Sequence, residues 1–201
     1  MLKVAITGNI ASGKSEVENI LKEKSYKVLD SDVVAHDLLE VDDVKKAICE
    51  AFADFDILEN GVISRSKLGK IVFLDKDLRE KLEKSLHPLI KDEIGQFFRQ
   101  QSEQSEKVEK IAFVSIPLLF EAHFESFFDK IILVYSDDKI RLKRLVKRNN
   151  FTEEYAQNRV NIQMNQDSKK ALSDYVIYNN DSLDSLRANV EKMLNLLKQG
   201  V

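Results

Sequence analysis

Eight consecutive residues, Gly8-Asn9-Ile10-Ala11-Ser12-Gly13-Lys14-Ser15, have the spacing G-x-x-x-x-G-K-[ST] of a phosphate-binding loop. Gly8 and Gly13 let the backbone turn its N–H groups inward around an anion, and a following helix adds partial positive charge. Lys14 supplies a point charge for the outer phosphates, and the Ser15 hydroxyl is an oxygen ligand for Mg²⁺. The chemistry expected here is binding of a nucleoside triphosphate, which leaves open where its phosphate goes.

Two carboxylates, Asp30 and Asp32, follow the apolar run Tyr26-Lys27-Val28-Leu29. Past the carboxyl end of a strand in an open α/β sheet, they face the same crevice as the loop. One is suited to accept a proton from a substrate hydroxyl, and the other to hold Mg²⁺ or a sugar. The same positions also suit a turn or a helix N-cap. The basic run Lys139 to Arg148 is either a solvated face or the source of arginines for a phosphoryl group in transit. His87, beside Pro88, reads by itself as a histidine at a helix end or in a core.

These groups need elements to hold them. Leu2, Val4 and Ile6 form a short strand before the loop, and Val17, Ile20 and Leu21 fall on one helical face after it. Residues 33–105 read as almost wholly helical, too large for an ordinary crossover, and therefore as an insert over a substrate. Asn60-Gly61 marks a turn within it, and Pro88 predicts a kink or break near Leu86-His87. Gln100 to Lys110 reads as a solvated helix end and loop. Residues 111–116 and 131–135 are buried-type strands without alternation, of the kind found at the centre of parallel sheets. Residues 138–168 read as a charged helical flap, hinged at Gln166-Asp167-Ser168. Residues 175–178 are a last strand, followed by an amphipathic helix.

The 201 residues suit one domain, and a hydrophobic share of 43% is enough for a core. A net charge of −3 gives no support for a nucleic-acid or membrane partner. The single cysteine, Cys49, allows no disulfide within one chain and reads as a small core residue. No run approaches the ~20 apolar residues of a membrane span. A cytoplasmic protein, monomeric or weakly homo-oligomeric, is expected.

The sequence resembles dephospho-coenzyme A kinases along nearly its whole length. The resemblance is carried by Thr7-Gly8 through Ser15, Asp30-Ser31-Asp32, Leu86-His87-Pro88-Leu89-Ile90 and Pro117-Leu118-Leu119-Phe120-Glu121. It continues in the basic helix ending Lys147-Arg148, Arg159 with Gln163, and Asp174-Tyr175-Val176-Ile177 leading to Asn179. The Leu-His-Pro and Pro-Leu-Leu-Phe-Glu blocks discriminate most, since generic phosphate-loop chemistry does not demand them. The resemblance implies transfer of the ATP γ-phosphoryl group to the ribose 3′-hydroxyl of dephospho-coenzyme A, with Mg²⁺. It implies an α/β P-loop NTPase fold with a central five-stranded parallel sheet flanked by helices. The core would be 1–32, 106–137 and 169–201, the acceptor-binding insert about 33–105, and the lid about 138–168.

The resemblance also implies residue roles. Asp32 accepts the hydroxyl proton, and Lys14, Arg148 and Arg144 stabilise the phosphoryl group. Gly8, Asn9, Ile10, Ala11, Ser12, Gly13, Lys14, Ser15, Glu16, Arg148 and Asn179 hold ATP, and Ser15 holds the metal. Asp30, Asp32, His87 and Leu118 hold the acceptor. Four positions depart from the family habit. Ser31 replaces Ala between the two aspartates, and Ser115 replaces the Asp that usually ends the strand, leaving more to Asp32. Ala11 replaces Gly, which requires a negative φ there, and Glu16 replaces Thr, a favourable charge for a helix N-terminus. Another small-molecule kinase and a nucleotide-dependent switch are the alternatives. A guanine-specific switch would need Asn-Lys-x-Asp after a strand, and the chain has none.

Overall fold

The structure is a computed structural model and describes residues 1–104 and 111–199. In chain order the elements begin with β1 (Leu2–Thr7), α1 (Lys14–Glu23), β2 (Lys27–Asp30), α2 (Ser31–Glu40) and α3 (Asp42–Ala51). A short pair, β3 (Leu58–Glu59) and β4 (Val62–Ile63), precedes α4 (Arg65–Leu74) and α5 (Lys76–Gln104). Then come β5 (Ile111–Ser115), β6 (Lys130–Tyr135), α6 (Asp138–Asn149) and α7 (Glu153–Asn161). The last are α8 (Gln166–Ala171), β7 (Tyr175–Tyr178) and α9 (Leu183–Gln199). The chain divides into two compact units: Met1–Leu29 with Phe98–Val201, and Asp30–Phe97.

The first unit is built on a parallel five-stranded sheet in the order β2-β5-β1-β6-β7. Val4, Ala5 and Ile6 of β1 and Ile132, Leu133 and Val134 of β6 have no solvent exposure. Consecutive strand residues point to opposite faces, so both faces of these strands are covered. One core joins Val4, Ile6, Phe113, Ile132 and Val134 to Val17, Ile20 and Leu21 of α1, and to Leu186, Val190 and Met193 of α9. The register sets Ser115, the last residue of β5, beside Ile6. Two residues after Ile6 the chain leaves the sheet at Gly8, so the loop starts next to Ser115.

The flap region 138–168 contributes its own small core. Leu145, Ala156 and Val160 pack with Leu142, Val146 and Phe151, and the loop residues Ile10 and Ala11 join them. Residues 166–168, where a hinge is expected, form the first turn of α8. Asn165 caps that helix by accepting from the Asp167 N–H (2.7 Å). Gln166 is buried, and its amide donates to the Ser136 carbonyl (3.0 Å) and to Asp138 (2.8 Å).

In the second unit, Asn60-Gly61 is the tip of a two-stranded hairpin, with both residues at positive φ. The sequence reading had found the turn and not the strands. Of the kink or break expected at Pro88, the break does not occur, because α5 runs through it without interruption. Pro88 and Lys84 are both exposed, so the carbonyl that loses its amide partner faces water. Leu86, Ile90 and Ile94 stay buried on the other face and hold the two halves in one helix. Of the expected solvated stretch 100–110, residues 105–110 lie outside the described residues.

Candidate active site

The loop closes tightly. The Ser12 N–H donates to the Asn9 carbonyl (3.0 Å), and α1 starts from Gly13 in the left-handed region at φ 97°. A Cβ on Gly13 would lie 2.0 Å from the Asn179 amide nitrogen, and one on Gly8 would lie 2.6 Å from Ser12 Oγ. Both positions therefore need glycine, one for conformation and contact and the other for contact. Ala11 sits at φ 61°, against the negative φ its methyl was expected to require. The left-handed region costs a non-glycine residue roughly 1–2 kcal/mol. The packing of Ala11 among Leu145 and its neighbours offsets that cost.

Several side chains brace the loop from outside. Asn179 is buried and donates its amide to the Ser12 carbonyl (2.8 Å). Ser136 Oγ donates to the Asn179 carbonyl (2.9 Å) and accepts from Arg144 (3.2 Å). The Ile10 N–H donates to Gln163 Oε1 (2.7 Å), and the Asn9 amide donates to the Met164 carbonyl (2.8 Å). Arg141, only 2% exposed, donates to the Ile10 carbonyl (3.3 Å) and pairs with Asp138 (2.7 Å). Among the described residues, two buried loop atoms, Asn9 Oδ1 and Ser12 Oγ, have no hydrogen-bond partner.

On the inner side, the Lys14 ammonium donates to Glu18 Oε1 (2.8 Å) and to Ser115 Oγ. The Ser115 hydroxyl in turn donates to Glu18 Oε1 (2.6 Å). Ser15 and Glu16, in the first turn of α1, are both exposed. The site thus combines backbone amides, a helix N-terminus, one fixed ammonium and a free-standing hydroxyl. This set of groups binds and orients polyphosphate.

A family model described as dephospho-CoA kinase matches residues 2–185. The chain belongs to the dephospho-CoA kinase family. A dephospho-CoA kinase of Listeria innocua is 40% identical over 188 residues, covering 93% of this chain and 92% of the relative. One of Arabidopsis thaliana is 41% identical over 192 residues, covering 95% and 82%. Among solved structures, dephospho-CoA kinase from Campylobacter jejuni is 28% identical with a TM-score of 0.72, each chain covered to 98%. A shikimate kinase from Acinetobacter baumannii, at 13% identity and a TM-score of 0.52, shares the fold alone.

Within this kinase, the residues singled out from sequence fall into three groups. Gly8 to Glu16, Asn179 and Arg144 are brought together around the loop. Leu118 is exposed just after β5, and Arg148 is exposed at the end of α6, its Nε donating to Asn149 (2.9 Å). Asp30, Asp32 and His87 belong to the other unit. There, the Asp30 carboxylate accepts from the Asp32 N–H (2.9 Å) and caps α2, the N-cap option left open by the sequence. Asp32 is exposed in the first turn of α2. His87 is half-buried. Desolvation holds its pKa below the ordinary 6.5, with Glu83 opposing and Lys91 adding to the effect.

Several residues of the kinase escaped the sequence reading. Glu18 carried a readable signal, an acid four residues after Lys14 on the same helical face as Leu21. Lys169 carried none, because its charge is matched by Glu121, distant in sequence. Arg141 pairs with nearby Asp138, but nothing in its type sets it apart from the other basic residues of 139–148. The Pro-Leu-Leu-Phe-Glu block gains a physical reason. Its Pro117 carbonyl accepts from Thr7 Oγ1 (3.2 Å) and from Lys169 (3.3 Å). Its Glu121 pairs with Lys169 (2.8 Å) and accepts from the Met164 N–H (3.2 Å).

Proposed function

We propose that this kinase transfers the γ-phosphoryl group of ATP to the ribose 3′-hydroxyl of dephospho-coenzyme A, giving coenzyme A and ADP. The observation that carries the reading is membership of the dephospho-CoA kinase family over residues 2–185, joined to an intact and tightly braced phosphate loop. The loop amides and Lys14 hold the outer phosphates, and Asp32 takes the proton from the attacking hydroxyl. Arg148, with Arg144, neutralises charge on the phosphoryl group. Asn179, already bonded to the Ser12 carbonyl, frames the adenine side of ATP. His87, Asp30 and Leu118 grip the acceptor. Residues of about 33–105 serve as the acceptor-binding insert and about 138–168 as the lid. Little covalent work falls to the protein, so positioning and charge neutralisation carry the rate.

The donor set fits Mg²⁺. The Ser15 hydroxyl is exposed at the start of α1, and Mg²⁺ binds through few protein oxygens together with phosphates and water. Ser15 is the protein group that would hold it, and the metal would supply positive charge to neutralise the phosphates.

The test is ADP release from Mg·ATP, with dephospho-coenzyme A, adenosine, AMP and shikimate as parallel acceptors. Turnover is expected with dephospho-coenzyme A alone, with coenzyme A as product. Turnover with another acceptor overturns the substrate assignment, and release without any acceptor overturns the kinase reading. The expected setting is the cytoplasm, where ATP is supplied, with the chain acting as a monomer or weak homo-oligomer.

A further inference from the structure

Glu18 is an unusual residue for its place. It sits on the inward face of α1 with Val17 and Leu21, and its side chain is 5% exposed. A carboxylate buried to that degree is costly unless it is paired and hydrogen-bonded. Both conditions are met by two functional positions. Glu18 Oε1 accepts from the Lys14 ammonium at 2.8 Å and from the Ser115 hydroxyl at 2.6 Å. The single Ser115 proton goes to Glu18, so Ser115 offers Lys14 only a lone pair, and Lys14 donates to it. The three groups form a closed ring of hydrogen bonds between one helix and the end of a central strand.

An ammonium has three N–H donors. Two are fixed here by acceptors that cannot move, since Ser115 ends a buried strand and Glu18 lies one turn along the same helix. The third remains for a phosphate oxygen. The ring also makes the Lys14–Glu18 pair electrically neutral, so Glu18 adds nothing to the attraction for phosphate. Its contribution is direction.

We propose that Glu18, with Ser115 as its second anchor, is a positioning residue that fixes the Lys14 ammonium for phosphoryl transfer. This rests on Lys14 being a phosphate ligand, and it goes beyond that reading by assigning the buried carboxylate a catalytic consequence. A one-ångström misplacement of a reacting group costs on the order of 10²-fold. Loss of Glu18 therefore lowers kcat while leaving nucleotide affinity nearly intact.

The experiment uses the full chain with Lys14→Ala, Glu18→Ala, Ser115→Ala and the double variant Glu18→Ala with Ser115→Asp. It measures kcat with Mg·ATP and dephospho-coenzyme A, the Kd of a non-hydrolysable ATP analogue, and Tm. Glu18→Ala is expected to lower kcat roughly 10- to 100-fold, with Kd changed less than about threefold. Adding Ser115→Asp returns a carboxylate to the same ammonium from the strand side and is expected to recover kcat at least about fivefold over Glu18→Ala. A kcat for Glu18→Ala within about twofold of the parent overturns the proposal. So does a double variant no more active than Glu18→Ala, or a loss of Kd and Tm in step with kcat. Should Glu18→Ala fail to fold, Ser115→Ala carries the test. A roughly fivefold or larger fall in kcat supports the proposal, and parental kcat overturns it. Parental turnover in Lys14→Ala instead overturns the role of Lys14. Loss in Lys14→Ala with parental kcat in Glu18→Ala overturns the role of Glu18 alone.

Discussion

The Glu121 carboxylate lies 2.8 Å from the Lys169 ammonium, and Lys169 has no solvent exposure. Burial pushes the Lys169 pKa down, and the bond to Glu121 opposes that push. Among the described residues, removing the carboxylate leaves the buried cation hydrogen-bonded to the Pro117 carbonyl alone. Glu121→Ala is therefore expected to cost about 3 kcal/mol of folding stability, read from urea unfolding. Because Glu121 also accepts from Met164, whose carbonyl accepts from Asn9, ATP binding should weaken in the same variant. Unchanged stability and binding would mean that the pair is dispensable.

Gly13 and Gly61 both have positive φ, 97° and 80°, and differ in what a methyl would meet. At Gly61 nothing lies within 4 Å, whereas at Gly13 the Asn179 amide is 2.0 Å away. Gly61→Ala is expected to lose about 1 kcal/mol of stability with normal kinetics. Gly13→Ala is expected to displace Asn179 from the Ser12 carbonyl and to lower kcat/KM about 100-fold or more, an effect on loop geometry like that of other small misplacements. Steady-state kinetics beside a thermal melt of each variant distinguishes contact from backbone strain.

Asp30 and Asp32 separate in their expected effects. The Asp30 carboxylate is an N-cap, so Asp30→Ala should lose about 1 kcal/mol of stability. Asp32→Asn should lower kcat by roughly 10²- to 10⁴-fold, the range of a general base, while an ATP analogue binds normally. Near-normal turnover in Asp32→Asn would show that the proton goes elsewhere.

The arginines of α6 divide in the same way. Arg148 is exposed, so Arg148→Ala should leave Tm unchanged and lower kcat about 10³-fold. Arg141 is buried against the Ile10 carbonyl and Asp138, so Arg141→Ala should lower Tm first. A loss confined to KM in Arg148→Ala would make Arg148 a binding residue.

His87 makes stability depend on pH. The fold holds it neutral to lower pH than the unfolded chain does, whose value is 6.5. Between the two values the unfolded state binds more protons, so stability falls as pH drops from about 6.5 towards the folded value and is unaffected above it. Urea unfolding at pH 7.5, 6.5 and 5.5 is expected to show less acid loss in His87→Gln than in the parent. Equal loss in both would place the acid sensitivity elsewhere.

The strands and the loop were legible because their signals are local. The short non-alternating runs at 111–116 and 131–135 have the pattern of strands buried on both faces, and Gly8 to Ser15 encode their turn in residue type. Pro88 misled because a proline breaks a helix only where the lost hydrogen bond cannot be replaced, and here that position faces water. Gln166-Asp167-Ser168 is expected as a hinge, and the Asn165 cap with the pairing of Gln166 to Ser136 and Asp138 makes it the start of a helix. Ala11 adopts a positive φ that its own side chain disfavours, and the compensation comes from Leu145 and its neighbours in α6 and α7.

The sequence by itself determined the phosphate loop, the parallel sheet beneath it and the family to which the chain belongs. All of these rest on residue type and spacing within short stretches. Only the tertiary structure decided what the charges inside the fold do. Glu18 meets Ser115, Arg141 meets Ile10 and Lys169 meets Glu121, and the separations in sequence are set by the order in which strands and helices stack. A buried charge is tolerable only with its partner in place. For Lys169 that partner is chosen by the packing of the whole chain, whereas Glu18 and Arg141 find their ion partners within one helical turn and packing decides only that these pairs are buried.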